Sequence, residues 1–549
     1  MKLKTYLLSV LFLCLFTNIS FSQKKIKDNY TLQMLKGYMK TKERDYENAL
    51  TIYQSIYDKY SNDAALNYRI GQLYLNLKSF NNSIEYLNKA RKIDPSLEKD
   101  IPFLVGQAYH SLGHIDSALT EYEKYKNSIS EKEIKDSKIN DIIKQCNDAK
   151  WYIKNPVNVK ITKLGDEVNS KYVDASPSLT ADGKTLIFTS RRPENVGGEV
   201  NPATGEYKDD IYISYWIDSL KRWSKAIPAQ GKLNTAGYDA SLSISPDGKY
   251  IFVYRNVQGE TKSGDIYISR YNPRTEKWGN PKNISKNINS SYFETSASLS
   301  SDGKTLYFVS ERSGGFGNGD IWVSKKIKSR EWSKPTNIGK AINTEEDEIG
   351  VFIHPNGKTL FFTSKGHGTI GGYDVFQSTF ENGEWSNPVN LGYPINTTKD
   401  EIHFVLSTDG KRAYISSKRD EETEGIDIYE IDMSNYSLPN KDNKELTKQP
   451  PRFVSDIAIL RGLVIDENAG EKIEAEITVY DSSSGEEVEK ISSDEFGEYF
   501  FTLKNQKTYK VKVSKDGYET IEENVNLTFE SDRDFVLVKH FILKKKRKK

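Results

Sequence analysis

Between residues 155 and 432 apolar and polar side chains alternate with the two-residue period of strands, and the alternation restarts five times. In one unit Ala240-Ser241-Leu242-Ser243-Ile244-Ser245 reads as a strand and Pro246-Asp247-Gly248-Lys249 as a hairpin turn. Tyr250 to Tyr254 and Asp265 to Ser269 are two further strands, and the segment from Trp278 to Ile284 is the expected fourth. The turn tripeptide recurs as Asp182-Gly183-Lys184, Asp247-Gly248-Lys249, Asp302-Gly303-Lys304, Asn356-Gly357-Lys358 and Asp409-Gly410-Lys411. An acid stands eight positions before each copy (Asp174, Asp239, Glu294, Glu348, Glu401) and an Asn thirteen before it (Asn169, Asn234, Asn289, Asn343, Asn396). An Asp-aliphatic-aromatic triplet follows at Asp210, Asp265, Asp320, Asp374 and Asp427. Units of 53 to 55 residues, the first lengthened by an insertion, suit four short strands each.

The fifth unit has no Trp segment equivalent to those at Trp223, Trp278, Trp332 and Trp385. The stretch Asn155-Pro156-Val157-Asn158-Val159-Lys160-Ile161 looks like Asn280-Pro281-Lys282-Asn283-Ile284, so it is expected to complete the last unit and close a ring. Five blades result; a sixth assembled from Ser434 to Arg452 is the alternative. The array resembles the TolB-type propeller repeats of periplasmic proteins.

Ahead of it, residues 28–152 carry helical periodicity. Gly37, Gly71 and Gly106 recur every 34 or 35 residues, each followed twelve positions later by Ala49, Ser83 or Ala118. With Tyr53, Tyr74, Tyr109, Tyr122 and Pro95, this spacing resembles the tetratricopeptide repeat, whose small residues let paired helices approach. Glu131 to Tyr152 is expected to cap the stack. After a linker, 433–455, residues 456–543 alternate as short strands separated by Gly485, Gly497 and Asp516-Gly517-Tyr518. They resemble the carboxypeptidase-regulatory-like β-sandwich, a non-catalytic module. The expected fold is therefore multidomain α plus all-β: a helical solenoid, a propeller at 155–432 and a β-sandwich, ending in a polybasic tail at 544–549.

Residues 1–22 read as a cleavable export signal, with Lys2 and Lys4 before an apolar run and Ser20-Phe21-Ser22 before Gln23. Cys14 invites lipidation, but the bulky Leu13 before it argues against that. After cleavage only Cys146 remains, so no internal disulfide is expected. The formal net charge of +1 leaves no basic excess for a nucleic-acid partner.

No nucleophile elbow, zinc-protease motif or phosphate loop occurs, so no catalytic residue, metal or cofactor is expected. His110 and His114 have helical metal spacing but no third ligand, and are read as solvent-facing turn residues. The glycine-rich run from Gly366 to Gly372 joins strands and opens no helix. The repeated acids and triplet Asp residues are read as locks on the fold. Basic residues after each second strand (Arg191, Arg192, Arg255, Arg312, Lys365, Lys418, Arg419) are candidates for a rim that holds an acidic peptide; salt bridges to loop acids such as Glu421 and Glu422 are the alternative. In the helical repeats Tyr38, Gln72, Asn76, Gln107 and Ser111, with Lys42, are expected to face a concave groove suited to extended peptide.

This domain order resembles the PorE-like envelope components of gliding, type IX-secreting Gram-negative bacteria, without that family's OmpA-like C-terminal domain. The resemblance implies a non-enzymatic periplasmic scaffold, peripheral to the outer membrane, that docks outer-membrane β-barrel or secretion-system subunits. Peptidoglycan anchoring does not carry over. The alternative is glycan or peptidoglycan-fragment binding, with Phe316 and Tyr373 as platforms; a propeller-associated hydrolase lacks a nucleophile motif.

Overall fold

The computed structural model describes residues 30–201, 205–256, 264–328, 331–419, 425–439, 456–529 and 535–546. The export signal with Cys14, the acids Glu421 and Glu422, most of the linker and the last three tail residues lie outside them. The described residues form two compact units that divide at Trp151 and Tyr152.

The first unit is helical. Helices α1 (Tyr30–Lys42), α2 (Tyr46–Tyr60), α3 (Ala64–Asn76), α4 (Phe80–Ile93), α5 (Ile101–Ser111) and α6 (Ile115–Ser128) form three antiparallel pairs, followed by α7 (Glu131–Asp136) and α8 (Ile139–Lys154). Turn and cap chemistry sets the boundaries. Asp63 accepts the Leu66 amide at the start of α3, and Ser130 with Glu133 makes a reciprocal capping box at α7. Within each pair a glycine faces a large side chain: Gly37 faces Tyr53, Gly71 faces Leu87 and Gly106 faces Tyr122. Ala49, Ser83 and Ala118 are fully buried in the same crossings, and the Ser83 hydroxyl donates to the Gly71 carbonyl at 2.9 Å.

His110 corrects the sequence expectation. It is buried, packs edge-on against Tyr122, and its Nδ1 lies 3.6 Å from the Cys146 Sγ; His114 is exposed at the start of α6. Burial pushes the Cys146 thiol up to about 12, so it is an inert core thiol.

The second unit is β-rich. Five sheets each hold three consecutive antiparallel strands that begin at Asp174, Asp239, Glu294, Glu348 and Glu401. The expected outer strand of the first four is broken into two dipeptides, as in Lys277–Trp278 and Lys282–Asn283, with Pro281 unable to donate in between. In the fifth sheet the outer strand is Lys160–Lys163, pairing Lys160 with Asp432 and Lys163 with Tyr429. It lies slightly later than the stretch read from sequence. The alternative sixth unit falls mostly on 440–455, outside the described residues.

Each sheet shares an apolar core with the next. Ile187 and Ile211 of the first meet Ile251 and Val253 of the second, and Phe252 and Ile266 meet Leu306 and Phe308 of the third. Val309 and Ile321 meet Leu360 and Phe362 of the fourth, and Phe361 and Val375 meet Phe404 and Ile415 of the fifth. Tyr414 and Ile428 of the fifth sheet then pack with Phe188 and Tyr212 of the first. At about 1.5–3 kcal/mol for each large apolar side chain buried, these five seams dominate the stability of the unit.

The repeated Asn gives the seams their register. Its side-chain amide bonds both the N–H and the carbonyl of the aliphatic residue in the previous sheet's Asp triplet. Asn234 bonds Ile211, Asn289 bonds Ile266, Asn343 bonds Ile321 and Asn396 bonds Val375. Asn169 does the same to Ile428 of the fifth sheet, 259 residues away. The turn glycines have φ between 68° and 77°, the left-handed conformation that glycine adopts without strain.

The C-terminal residues form two four-stranded sheets. One is built on Ile457–Asp466 and Glu498–Lys504, the other on Glu476–Asp481 and Thr508–Ser514. Leu460, Val464 and Phe501 share a core with Ile477, Val479 and Val511. Lys249 pairs with Asp494 at 2.6 Å and Arg461 with Asp182 at 2.5 Å, so two of the repeated turns contact this region. Arg270 and Arg274 also lie over the Phe496 ring.

Candidate functional site

Two places collect candidate binding residues. The first is the polar face of α1, α3 and α5. Tyr38 is 40% exposed, with Lys42 Nζ 5.4 Å and the Arg69 guanidinium 5.8 Å from its ring. Arg69 donates to the Gln72 side chain at 3.1 Å, and Gln72 donates to the Tyr68 hydroxyl at 2.7 Å. Tyr68 in turn donates to the Asp100 carboxylate at 2.8 Å. Asn76 is exposed and its amide bonds the Gln72 carbonyl; Gln107 and Ser111 are half-buried on α5. This network fixes side chains that would otherwise lose rotamer freedom on binding. The sequence reading found Tyr38, Gln72 and Asn76 but missed Arg69, Tyr68 and Asp100, whose link spans two repeats.

The second place is the end of the five sheets where each first strand begins. Here the expected open ring of cations is corrected. Arg192 donates to Asp174 at 2.9 Å and Arg255 to Asp239 at 2.8 Å. Arg312 donates to Glu294 at 3.1 Å, and Arg419 lies 3.5 Å from Glu401. Each also donates to the carbonyl six residues before its acid: Val168, Leu233, Ile288 or Ile395. The acids are buried and further accept Ser or Thr hydroxyls, such as Ser170, Thr235, Ser290 and Thr397. These four guanidinium groups are therefore structural clamps. Arg191 pairs with Asp209 at 2.7 Å and with Glu206. Lys365 lies 4.3 Å from the Tyr373 ring centre, and Lys418 is exposed.

The fourth sheet lacks this clamp. Gly366 stands where the first, third and fifth sheets have Arg, and the next residue, His367, places Nε2 2.7 Å from the Ile342 carbonyl. Glu348 is left with the Thr344 and Ser364 hydroxyls and the Thr344 amide, and burial raises its carboxyl to about 7. A carboxyl raised above its unfolded value contributes stability that is full below pH 4.5 and is lost as pH rises through about 7. Glu348→Gln is therefore expected to gain on wild type between pH 4.5 and 7, by no more than ~3 kcal/mol. Urea melts across that range check it; a pH-independent difference refutes it.

The triplet Asp residues are also buried. Burial raises Asp210 to about 7 and Asp265 to about 6, and Asp374 stands well above its ordinary value. Among the described residues no cluster of three or more His, Cys, Asp or Glu has metal-holding geometry. Among the described residues no helix is long and apolar enough to cross a membrane. Exposed aromatics at this end are Tyr238, Tyr292, Phe293 and Phe316. Of the two platforms read from sequence, Phe316 is open, whereas Tyr373 is half-covered beneath Lys365.

Residues 64–97 match the tetratricopeptide repeat. The N-terminal paired helices, with glycines at their crossings, are thus a tetratricopeptide-repeat region, which implies a role in protein–protein interaction. Residues 459–538 match the carboxypeptidase regulatory-like domain. No curated protein matches the chain. Among solved structures, the Yersinia enterocolitica type III secretion translocator chaperone SycD is 15% identical, with 23% of this chain and 87% of that chain covered and a TM-score of 0.21. The first tetratricopeptide repeat of Spaghetti (RPAP3), bound to an HSP90 peptide, is 18% identical over 22% and 92%, with a TM-score of 0.20. The α-L-arabinofuranosidase PaAbf62A of Podospora anserina is 14% identical over 51% and 97%, with a TM-score of 0.33.

Proposed function

We propose that this chain is a non-enzymatic scaffold of the cell envelope, exported to the periplasm, that holds protein partners at the outer membrane. In this reading the five sheets form a closed five-bladed propeller of the TolB type, and the C-terminal sheets form a β-sandwich. The partners are outer-membrane β-barrel or secretion-system subunits of type IX secretion or gliding machinery. The observation that carries the reading is the tetratricopeptide-repeat groove, where Lys42 and Arg69 flank the exposed Tyr38. Two cations over one ring suit a peptide that places a carboxylate there, with its backbone along Gln72 and Gln107. The clamp arginines and Asn staples support a rigid β-rich body, which suits a scaffold that spaces partners.

In-cell crosslinking followed by mass spectrometry of the envelope fraction tests it. Recovery of secretion or β-barrel subunits is the expected result. Recovery of muropeptides alone, or of the protein only in the cytoplasm, would overturn it.

A further inference from the structure

One strand of the C-terminal sheets leaves its hydrogen-bonding edge open over a cleft. Glu498–Lys504 pairs only with Ile457–Asp466 and ends its sheet. Bonds outside that pair fix the direction in which each backbone group points. The Glu498 amide donates to the Asp494 side chain, and its carbonyl accepts the Asp494 amide. On the other strand the Ile459 amide donates to the Phe535 carbonyl, and the Arg461 carbonyl accepts the Lys539 amide. Glu498, Ile459 and Arg461 therefore point their backbone groups away from the pair. In an antiparallel ladder this alternates, so Phe500 and Thr502, opposite Arg461 and Ile459, also turn their amides and carbonyls outward. Among the described residues these four groups have no partner.

The edge borders a cleft of about 350 Å³, lined by Lys304, Tyr307 and Gly357 of the third and fourth repeated turns and by Val488, Glu489 and Thr502 of the C-terminal sheets. That is far more than the ~15 Å³ a single water needs. The neighbouring turns show what is missing here. Asp182 and Lys249 of the first and second turns are engaged directly by Arg461 and Asp494. At the third turn Lys304 and Glu489 feel each other's charge but form no ion pair among the described residues. The run Tyr499-Phe500-Phe501-Thr502-Leu503 has no charge or proline of the kind that blunts an exposed edge.

Amides and carbonyls alternating at strand spacing are matched by another backbone, whereas a sugar or a lone side chain meets only one or two of them. An added strand would lie about 4.8 Å from Glu498–Lys504. The third and fourth turns standing across the cleft obstruct a whole second sheet but admit a single strand.

We propose that an extended peptide segment of a protein partner enters this cleft and adds a strand to Glu498–Lys504, bonding Phe500 and Thr502 through its main chain while side chains of both charges meet Glu489 and Lys304. The surface lies outside the helical unit and does not rest on the groove.

The fluorescein-labelled hexapeptide Lys-Thr-Val-Thr-Val-Glu, titrated into the full chain, tests it beside a twin whose Thr and Val residues are all N-methylated. The plain peptide is expected to bind and the twin at least tenfold more weakly, because the twin lacks main-chain donors. Thr502→Pro removes an outward amide and leaves the bonds to Ile457–Asp466 in place; it is expected to weaken binding at least tenfold. Val488→Trp, at an exposed position, narrows the cleft and is expected to weaken binding at least fivefold, which keeps the test open should the proline variant fail to fold. Bound peptide is also expected to slow hydrogen exchange at the Thr502 amide at least tenfold.

No binding at millimolar peptide, equal binding of the methylated twin, or binding unchanged in the two variants would overturn the proposal. Binding that appears only after residues 440–455 are deleted would give the edge to the chain's own linker instead. Self-association abolished by Val488→Trp would give it to a second copy. Gln72→Ala in the groove is expected to leave peptide binding here intact, so failure at this edge is distinguishable from failure of the groove.

Discussion

Replacing Arg312 with methionine is expected to destabilise the β-rich unit by about 3–5 kcal/mol, the cost of leaving a buried charge without its partner. Arg312 donates to Glu294, the Ser310 hydroxyl and the carbonyls of Asn287 and Ile288, and lies 4.9 Å from the Phe308 ring centre. Methionine retains most of the volume, so the loss is electrostatic. Glu294 is fully buried and would keep only hydroxyl and amide partners, the situation natural to Glu348 in the fourth sheet. There the carboxyl titrates at about 7. Glu294 in the variant is therefore expected to rise in the same direction. A carboxyl so raised destabilises while ionised, so the Arg312→Met defect should be full above neutrality and shrink as pH falls toward 5. Adding Glu294→Gln should recover much of the loss at pH 8 and little at pH 5. Denaturant melts of the four cycle members measure it; a defect under about 1 kcal/mol, or one independent of pH, would mean that the pair is a solvated rim contact.

The second large effect lies in the helical unit. Tyr122 is 1% exposed and its ring fills the space above Gly106. Truncation to alanine is expected to cost about 3–5 kcal/mol, as for other buried aromatic deletions. A methyl group at Gly106 would sit 2.7 Å from the Tyr122 ring, closer than packing allows, so Gly106→Ala should destabilise by about 1–3 kcal/mol. The two changes are coupled. With the Tyr122 ring removed, the added methyl meets a cavity, and Gly106→Ala should become neutral or favourable. Additive losses would place the close approach elsewhere.

The sequence carried the strand and helix positions because each rests on local chemistry. Glycine turns, two-residue alternation and small residues at helix crossings act within one unit. Long-range partnership was less legible. The Asn stood at a fixed offset, but its bond to the preceding sheet's aliphatic residue reaches back 21 to 23 residues within the array, and 259 residues forward from Asn169. The acids and arginines sit 16 to 18 residues apart in sequence and meet only when two strands pair. Read singly, the arginines looked like a free rim. His110 looked like a turn residue because its burial depends on Tyr122 and on Cys146 of α8. The outer strand read from Trp278 to Ile284 ignored Pro281.

The most direct test places a photocrosslinking amino acid at Gln107 of the full chain in living cells, with and without Lys42→Ala and Arg69→Ala. The scaffold account predicts a discrete protein adduct from the groove that the two substitutions together reduce at least tenfold while the chain remains folded and abundant. No protein adduct from a folded, expressed chain, or one indifferent to the loss of both cations, would contradict it.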